Sequence, residues 1–110
     1  MRTAGLRELL PARRHNESFT MMFGGQLTVF TVTLGFYPDG RVGEIFIDGA
    51  KAGSEVAAIT HDAAVLASIG LQYGVPIETF RHAITRDRDN KAATIIGAVL
   101  DKINELEIEK

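Results

Sequence analysis

The sequence predicts an α+β fold, in which an antiparallel three-stranded β-sheet is followed by three helices. Two observations lead to this prediction. From about residue 18 to residue 48, apolar and polar residues alternate, as they do along strands, whereas from residue 54 onward apolar residues recur at helical spacing. An order of strands first and helices after is typical of a helical layer that packs against an antiparallel sheet.

Length and charge place the chain among ordinary globular domains. It has 110 residues, of which 45% are hydrophobic and 24% are charged, with 14 acidic side chains against 12 basic ones. This length suits a single domain, and the near-neutral charge does not favour nucleic acid as the main partner. The sequence lacks the run of about 18 apolar residues that a membrane-spanning helix needs, and its charged beginning does not resemble an export signal. We therefore expect a soluble, cytoplasmic domain that does not enter a membrane.

The first 17 residues differ from the rest. Four arginines lie there against two glutamates, and Pro11 interrupts any helix. We therefore predict a partly ordered basic arm over residues 1–17 and a single folded domain over residues 18–110.

Two turns divide the strand region into three strands. The first is Gly24-Gly25, since glycine adopts the positive φ angles that a two-residue hairpin turn needs. The second is the run Tyr-Pro-Asp-Gly at residues 37–40, in which proline fixes φ early in the turn and glycine takes the left-handed position. The third strand then covers residues 41–48.

The register of the second hairpin follows from burial. A four-residue loop at residues 37–40 pairs Val32 with Ile45 and places the large apolar side chains of all three strands on one face. A slip of one residue would bring the carboxylate of Glu44 into that face, which is costly. The opposite face still carries Met22, Leu27, Val29, Val42 and Phe46. So much apolar surface predicts that a second copy or the basic arm covers this face.

A long helix is predicted over residues 54–73. Ser54 is suited to cap its N-terminus, and Gly74 stands where a left-handed residue ends many helices. An apolar stripe at helical spacing consists of Val56, Ile59, Ala63, Leu66, Gly70 and Tyr73. Alanines beside this stripe permit the close approach of another helix or of the sheet.

Two shorter helices complete the prediction. Pro76 opens a helix over residues 76–84, because proline is well suited to the first helical turn. A charged linker follows over residues 86–90, and Asn90 at its end is a candidate N-cap. The last helix is expected over residues 91–106, where apolar residues again recur at helical spacing.

Three segments resemble a known family. They read YPDGRVGEIFI at residues 37–47, KAGSEVAA at residues 51–58 and SIGLQYGVPIET at residues 68–79. Together they resemble the TSCPD domain, which is known near the C-terminus of vitamin B12-dependent (class II) ribonucleotide reductases and as small stand-alone proteins. The resemblance extends over roughly residues 27–84, and it implies that residues 18–110 form a single TSCPD-like domain.

The chain departs from the family pattern because it lacks the cysteines of that pattern. The pentapeptide Thr-Ser-Cys-Pro-Asp that names the domain is absent, as is every cysteine. Disulfides, thiolate metal sites and thiol or thiyl-radical chemistry are therefore excluded within this chain. The resemblance is to ribonucleoside-diphosphate reductase. It implies a reaction that needs a substrate-radical cysteine and a dithiol pair, in an enzyme that binds adenosylcobalamin and nucleotide in a large catalytic barrel. We therefore expect no catalytic residue and no cofactor in this chain.

The residues and the resemblance leave three hypotheses of function open. The first is a stand-alone, non-catalytic module that acts as a homo-oligomeric accessory or binding protein. The second is a subunit of a ribonucleotide reductase, or of another enzyme of nucleotide metabolism, whose catalytic residues lie on a partner chain. The third is a small module that binds an anion or a nucleotide.

The turn at residues 49–54 is the candidate anion site. Gly53 and Ser54 precede the long helix, where free backbone N–H groups and the positive end of the helix dipole favour an anion. Lys51 adds a cation, although the order of residues is not that of a Walker A motif. The structural alternative is that the glycines turn the chain and Ser54 only caps the helix.

Asp62 is a candidate interface residue. It aligns at helical spacing with apolar residues of the long helix, so it is expected to face a subunit or a partner element. Val29 and Phe46 join it as interface candidates, because they lie on the second apolar face of the sheet. His61 precedes Asp62 directly, and adjacent helical side chains point about 100° apart, so these two do not form a catalytic dyad.

Neither a metal site nor a nucleic-acid site is indicated. The histidines stand on separate predicted elements and without metal-site spacing: His15, His61 and His82. A basic cluster near the short helix consists of Arg81, His82, Arg86, Arg88 and Lys91. Asp87 and Asp89 dilute its charge, and alternating signs favour a solvated linker over a phosphate-binding surface.

Overall fold

The computed structural model describes residues 5–25 and 27–108, and it confirms a three-stranded antiparallel sheet followed by three helices. The strands are β1 (Asn16–Phe23), β2 (Thr28–Phe36) and β3 (Val42–Asp48). The helices are α1 (Glu55–Gln72), α2 (Ile77–Ala83) and α3 (Ile95–Ile108). No helix within the described ranges is long and apolar enough to cross a membrane.

The core is one cluster of apolar side chains between the helices and one face of the sheet, called here the inner face. The largest of its fully buried side chains come from β2, β3 and α3: Val32, Leu34, Ile45, Val99, Leu100 and Ile103. Burying one such side chain stabilises the fold by roughly 1.5–3 kcal/mol relative to leaving it exposed. The periodicity of both the strands and the last helix is explained by this shared core.

The register of β2 and β3 differs from the predicted one by two residues. Val32 lies opposite Ile47 instead of Ile45. The turn accounts for one residue of this difference, since the N–H of Tyr37 donates to the carbonyl of Arg41 at 2.9 Å and closes a shorter loop. A bulge in β3 accounts for the other. Beyond the bulge the shift is even, so Ile45 and Ile47 stay on the inner face.

Gly43 is the unpaired residue of this bulge. The extra residue turns Val42 to the inner face, opposite Phe36, so the prediction that Val42 lies on the other face is wrong. A Cβ atom on residue 43 would lie 2.6 Å from the ring of Tyr37 and 2.9 Å from Leu10. The bulge therefore depends on a residue without a side chain.

The first hairpin turn, between Phe23 and Thr28, is longer than the predicted two-residue turn. The N–H of Leu27 donates to the carbonyl of Gly24 at 2.9 Å. Gly24 and Leu27 adopt positive φ angles of 91° and 50°. Of Gly24 and Gly25, only Gly24 adopts the positive φ angle on which the prediction of a two-residue turn was based.

Helix α1 lies along the outer edge of β3. Its buried residues are Thr60, Ala64, Ala67, Leu71 and Gln72. The hydroxyl of Ser68 accepts the N–H of Ile45 at 2.8 Å, and Nε2 of Gln72 donates to the carbonyl of Gly43 at 2.9 Å. Side chains of α1 thus satisfy backbone groups that an edge strand otherwise leaves open.

The apolar stripe predicted for α1 is largely exposed. Val56, Ile59 and Leu66 keep 58%, 60% and 69% of their surface in solvent. The buried positions are small because a helix that forms hydrogen bonds to a strand must approach its backbone closely. The spacing of the apolar residues predicted the position of the helix correctly. The contact between α1 and β3, however, determines which side of the helix faces the core.

The predicted helix ends are confirmed at α1 and are wrong at α3. Gly74 follows α1 with a φ angle of 88°, as expected of a C-terminal glycine. Asn90 is not an N-cap, since it adopts a φ angle of 62° inside a turn and α3 begins only at Ile95. The hydroxyl of Thr94 accepts the N–H of Gly97 at 3.2 Å and takes the capping role.

The basic arm is described from residue 5 onward, and residues 1–4 lie outside the described part. The N–H of Glu8 donates to the carbonyl of Gln72 at 2.9 Å. The hydroxyl of Tyr37 donates to the carbonyl of Glu8 at 2.5 Å. The arm is therefore tied to α1 and to the turn before β3, and β1 begins within the range assigned to the arm.

We expect Ser68→Ala to lower the free energy of unfolding by about 1–2 kcal/mol, because it leaves the N–H of Ile45 without a partner at a partly buried contact. Denaturant-induced unfolding measures this loss. Ser18→Ala is the matched control, since that hydroxyl contacts Thr33 at an exposed position, and a loss below about 0.5 kcal/mol is expected there. Equal losses in the two variants would contradict the role assigned to Ser68.

Candidate functional site

The candidate anion site at residues 49–54 connects β3 to α1. The hydroxyl of Ser54 accepts the N–H of Ala57 at 3.1 Å, which confirms Ser54 as the N-cap. The N–H of Ser54 donates to the carbonyl of Lys51 at 3.0 Å, and the Lys51 side chain is exposed. The structural part of the prediction is thus confirmed, whereas anion binding stays a prediction.

Two glycines shape this turn. Gly53 adopts a φ angle of 79° and Gly49 one of 139°, which disfavour other residues. A Cβ atom on Gly49 would lie 2.5 Å from the carbonyl oxygen of Val29. The chain leaves β3 in close contact with β2, and this holds the start of α1 near the sheet.

A groove of about 630 Å³ opens beside the turn, between α1 and the sheet face opposite the core, called here the outer face. Its lining includes Thr31, Thr33, Phe46, Asp48, His61 and Val65. Arg7 and Gln72 also line it, and Nε of Arg7 donates to Oε1 of Gln72 at 2.6 Å. The groove combines apolar walls with hydroxyl, carboxylate and imidazole groups, a composition that suits a small ligand with both polar and apolar parts.

The three predicted interface residues are exposed and stand on different elements. Val29 on β2 and Phe46 on β3 keep 52% and 53% of their surface in solvent on the outer face. Asp62 is exposed on α1. Phe46 lines the groove, whereas Val29 and Asp62 lie outside its lining.

The three histidines remain apart in the fold. Nε2 of His15 lies 2.9 Å from a carboxylate oxygen of Glu17, and Nε2 of His82 lies 3.2 Å from one of Glu78. His61 lines the groove. Within the part of the chain that the structure describes, no three histidine or acidic side chains are grouped so that they could hold a metal ion.

The basic cluster near α2 contacts a carboxylate that the sequence analysis did not single out. Asp101 on α3 accepts hydrogen bonds from both terminal nitrogens of Arg86, at 2.7 and 2.8 Å, and from Nε of Arg81 at 2.8 Å. The bonds from Arg86 are the main reason that the pKa of Asp101 falls from its usual 3.8 to about 2, although partial burial opposes the change. Both arginines are engaged within the fold, which argues against a phosphate-binding role for them.

Glu44 is a second carboxylate that sequence reasoning left without a partner. It lies off the inner face, as predicted, yet it is only 8% exposed. Arg14 of the arm donates to both of its oxygens, from Nε at 2.5 Å and from Nη2 at 3.1 Å. Gly35 opposite leaves the necessary room, since a Cβ atom there would lie 2.2 Å from an oxygen of Glu44. The ion pair allows this carboxylate to be shielded.

Comparison with known families identifies the domain. Residues 6–103 match the TSCPD domain. The chain belongs to the TSCPD domain family. The match extends beyond residues 27–84, where the sequence resemblance was visible, and includes the arm from residue 6 onward and most of α3.

The TSCPD chain is similar to vitamin B12-dependent ribonucleotide reductases. It is 40% identical over 91 residues to the one from Bradyrhizobium diazoefficiens and 41% identical over 91 residues to the one from Agrobacterium fabrum, with 83% of this chain and 7% of each relative aligned. The enzyme from Rhodopirellula baltica is 36% identical over 104 residues, which are 88% of this chain and 10% of that protein. The chain thus spans a tenth or less of the length of these relatives. No solved structure matches it.

The motif residues of the TSCPD chain have structural roles in this fold. Tyr37 of the YPDG turn is 4% exposed, and burial is the main cause that raises its pKa. The guanidinium of Arg41 lies 4.5 Å from the centre of the Tyr37 ring. Nε of Arg41 also donates a hydrogen bond to the carboxylate of Asp39 at 2.7 Å. The turn is thereby held over the arm that it contacts.

The 49–54 turn is tested by two substitutions in the TSCPD chain. Ser54→Ala should lower the free energy of unfolding by about 1 kcal/mol, because it removes the cap of α1. Lys51→Ala should leave it nearly unchanged, as expected of an exposed charge. If the turn binds an anion, millimolar phosphate or nucleotide should raise the melting temperature of the wild type, and Lys51→Ala should lose most of this gain. A wild-type melting temperature indifferent to phosphate, sulfate and nucleotides would refute anion binding there.

We expect Asp101 to make stability depend on pH in acid. Its pKa is lower in the folded state, about 2, than its usual 3.8, so its contribution is complete above about pH 4 and is lost as the pH falls towards about 2. A shift of this size corresponds to roughly 2 kcal/mol. Unfolding of wild type and Asp101→Asn across this range measures the effect, and the variant should show the flatter dependence. Asp89→Asn, at an exposed linker position, should keep the wild-type slope; a wild-type slope in Asp101→Asn would contradict the assignment.

Proposed function

We propose that this TSCPD chain is a non-catalytic module that associates with copies of itself and acts as an accessory or binding protein in nucleotide metabolism. One observation carries the proposal. The chain shares its domain with vitamin B12-dependent ribonucleotide reductases, yet its sequence contains no cysteine. Reduction through thiols needs cysteine, so the chemistry of those relatives is not assigned to these 110 residues.

The ion pairs formed by the shielded carboxylates support a non-catalytic role. Glu44 is paired with Arg14, and Asp101 with Arg81 and Arg86. A catalytic acid or base needs access to a substrate, whereas these carboxylates are occupied by arginines of the same chain. Adenosylcobalamin is implied only by the family resemblance, and we propose no cofactor for the chain.

Exposed apolar surface supports self-association. The arm covers the sheet near Glu44, but Met22, Leu27, Val29 and Phe46 of the strand region remain 52–59% exposed. Val56, Ile59 and Leu66 on α1 are 58–69% exposed. Monomeric proteins rarely leave this many large apolar side chains in solvent on adjoining elements. The outer face, with Val29 and Phe46, and the side of α1 with Asp62 hold this exposed surface.

A second candidate function is that of a subunit whose catalytic residues lie on another chain. The observation that favours it is the alignment itself, because the relatives carry this domain as 7–10% of a much longer protein. Co-purification of a reductase chain with this protein would support this alternative over an independent module.

Two measurements on the purified chain test the proposal. Light scattering at high micromolar concentration should give at least twice the 12.0 kDa of one chain, since closed two-fold dimers are the commonest assembly. An assay with ribonucleotides, adenosylcobalamin and a dithiol should give no deoxyribonucleotide. Turnover in that assay would refute the non-catalytic role, and a mass of 12.0 kDa would refute self-association.

A further inference from the structure

The two edges of the sheet are treated differently by the rest of the molecule. On β3, Ser68 and Gln72 of α1 form hydrogen bonds to the backbone of Ile45 and Gly43. In the described sheet, β1 is the strand at the other edge and pairs with β2. Proteins protect an exposed edge with lysine, proline, a bulge or a covering element, so the composition of β1 decides whether this edge is protected.

β1 carries neither proline nor a bulge, and a single carboxylate is its only charge. Its sequence is NESFTMMF, without lysine or proline, and its pairing with β2 runs from Asn16 to Phe23 without a bulge. Its one ionisable side chain is Glu17. Apart from His15, which contacts Phe36 of β2 directly before β1 begins, the described contacts of the arm are to α1, to β3 and to the turn before β3, on the far side of the sheet from β1.

The direction of the free backbone groups follows from the ladder. The N–H of Phe36 donates to the carbonyl of His15, one position before β1, so odd-numbered residues of this strand direct their backbone groups towards β2. The even-numbered residues direct theirs outward, and all of them are exposed: Asn16, Ser18, Thr20 and Met22. Among the residues that the structure describes, these four thus present eight backbone groups, one N–H and one C=O each, as an open ladder.

We infer that this edge pairs antiparallel with the same edge of a second copy, joining two three-stranded sheets into one across a two-fold axis near Phe19 and Thr20. The inference names the surface of the self-association proposed above and rests on that proposal. Residues directly opposite in an antiparallel pair share a face, so the inner-face side chains of one copy continue those of the other. Phe19, Met21 and Phe23, which are only partly buried in the single chain, would gain neighbours.

Charge and the space beside β1 favour a second copy as the occupant. With the axis near the middle of β1, Glu17 of one chain lies opposite an apolar residue, Met21 or Phe23, and not opposite another Glu17, so like charges do not meet. A groove of about 1120 Å³ between the hairpin end of β1 and α3 is lined by Met21, Phe23, Lys91 and Lys102, together with Asp87, Asp101 and Glu105. Antiparallel pairing places Glu17 of the second copy opposite Met21 or Phe23, which line this groove.

Proline tests the edge directly. Because the N–H of Thr20 points outward, Thr20→Pro removes a bond to the second copy but none to β2. We expect it to weaken dimer formation by about tenfold or more, measured by light scattering or sedimentation across a dilution series, with a circular dichroism spectrum like that of wild type. Thr20→Ala, which keeps the N–H, is the matched control and should remain dimeric. Thr20→Lys, which sets two charges against each other near the axis, is the second variant if the proline disturbs folding.

Single cysteines give an independent test, because the chain has none of its own. Opposed residues of an antiparallel pair lie about 4.5–5.5 Å apart at Cα, within the range that a disulfide spans. Under oxidation, Thr20→Cys should cross-link to itself if the axis lies at Thr20, and a mixture of Ser18→Cys and Thr20→Cys should cross-link if it lies at Phe19. Thr33→Cys, one strand further in, and Leu66→Cys, on α1, should stay uncross-linked.

The outcomes separate this inference from the proposal on which it rests. Loss of the dimer in Thr20→Pro or Thr20→Lys, with cross-links confined to β1, supports edge pairing. A dimer that survives both substitutions, or that cross-links through Leu66→Cys instead of β1, overturns edge pairing and leaves self-association standing. A wild-type mass of 12.0 kDa at every concentration overturns both.

Discussion

The architecture depends on how the backbone edge of β3 is satisfied. Two polar side chains of α1, Ser68 and Gln72, reach that edge, and they do so only because the helix lies close against the strand. Close approach in turn requires the small residues Ala64 and Ala67 at the contact, so the larger apolar residues of α1 point elsewhere. The exposed stripe on this helix is therefore a consequence of a hydrogen-bonding requirement and not of a weak core.

Two arginine–carboxylate contacts connect irregular segments to this framework. Arg14 ties the arm to Glu44 on β3, and Arg81 and Arg86 tie the segment around α2 to Asp101 on α3. Shielding a charge is unfavourable unless it is paired and hydrogen-bonded, and in both places a planar guanidinium supplies bonds to both carboxylate oxygens. These charged side chains therefore connect separate segments of the chain, although in the composition they only add to a near-neutral net charge.

Periodicity was sufficient to predict the order and type of every element, because strand and helix periods differ and each buries one face. It could not orient α1, since the side that meets the core is decided by the edge of β3 rather than by the most apolar positions. The register was wrong by two residues because a bulge at Gly43 depends on contacts with Tyr37 and Leu10, which are distant in sequence. A glycine inside an otherwise regular strand was the available signal.

The candidate site was predictable only in its local part. The cap at Ser54 follows from neighbouring residues, so sequence sufficed for it. The groove, by contrast, is formed by the arm, the sheet and α1 together, and the partners of Glu44 and Asp101 lie 30 and 15–20 residues away along the chain. A carboxylate within the apolar segment IIGAVLDKI, at Asp101, was the one visible sign that an internal ion pair was needed.

Gln72 has a consequence for how the molecule unfolds. Its side chain joins Arg7 of the arm to the carbonyl of Gly43 on β3, and its own carbonyl accepts the N–H of Glu8. A single residue at the end of α1 thus connects three segments, and detachment of the arm would leave the side-chain oxygen and the carbonyl of Gln72 without these partners. The part of the arm around Arg7 and Glu8 consequently belongs to the same cooperative unit as the sheet, and its amide protons should exchange together with those of the β3–α1 contact.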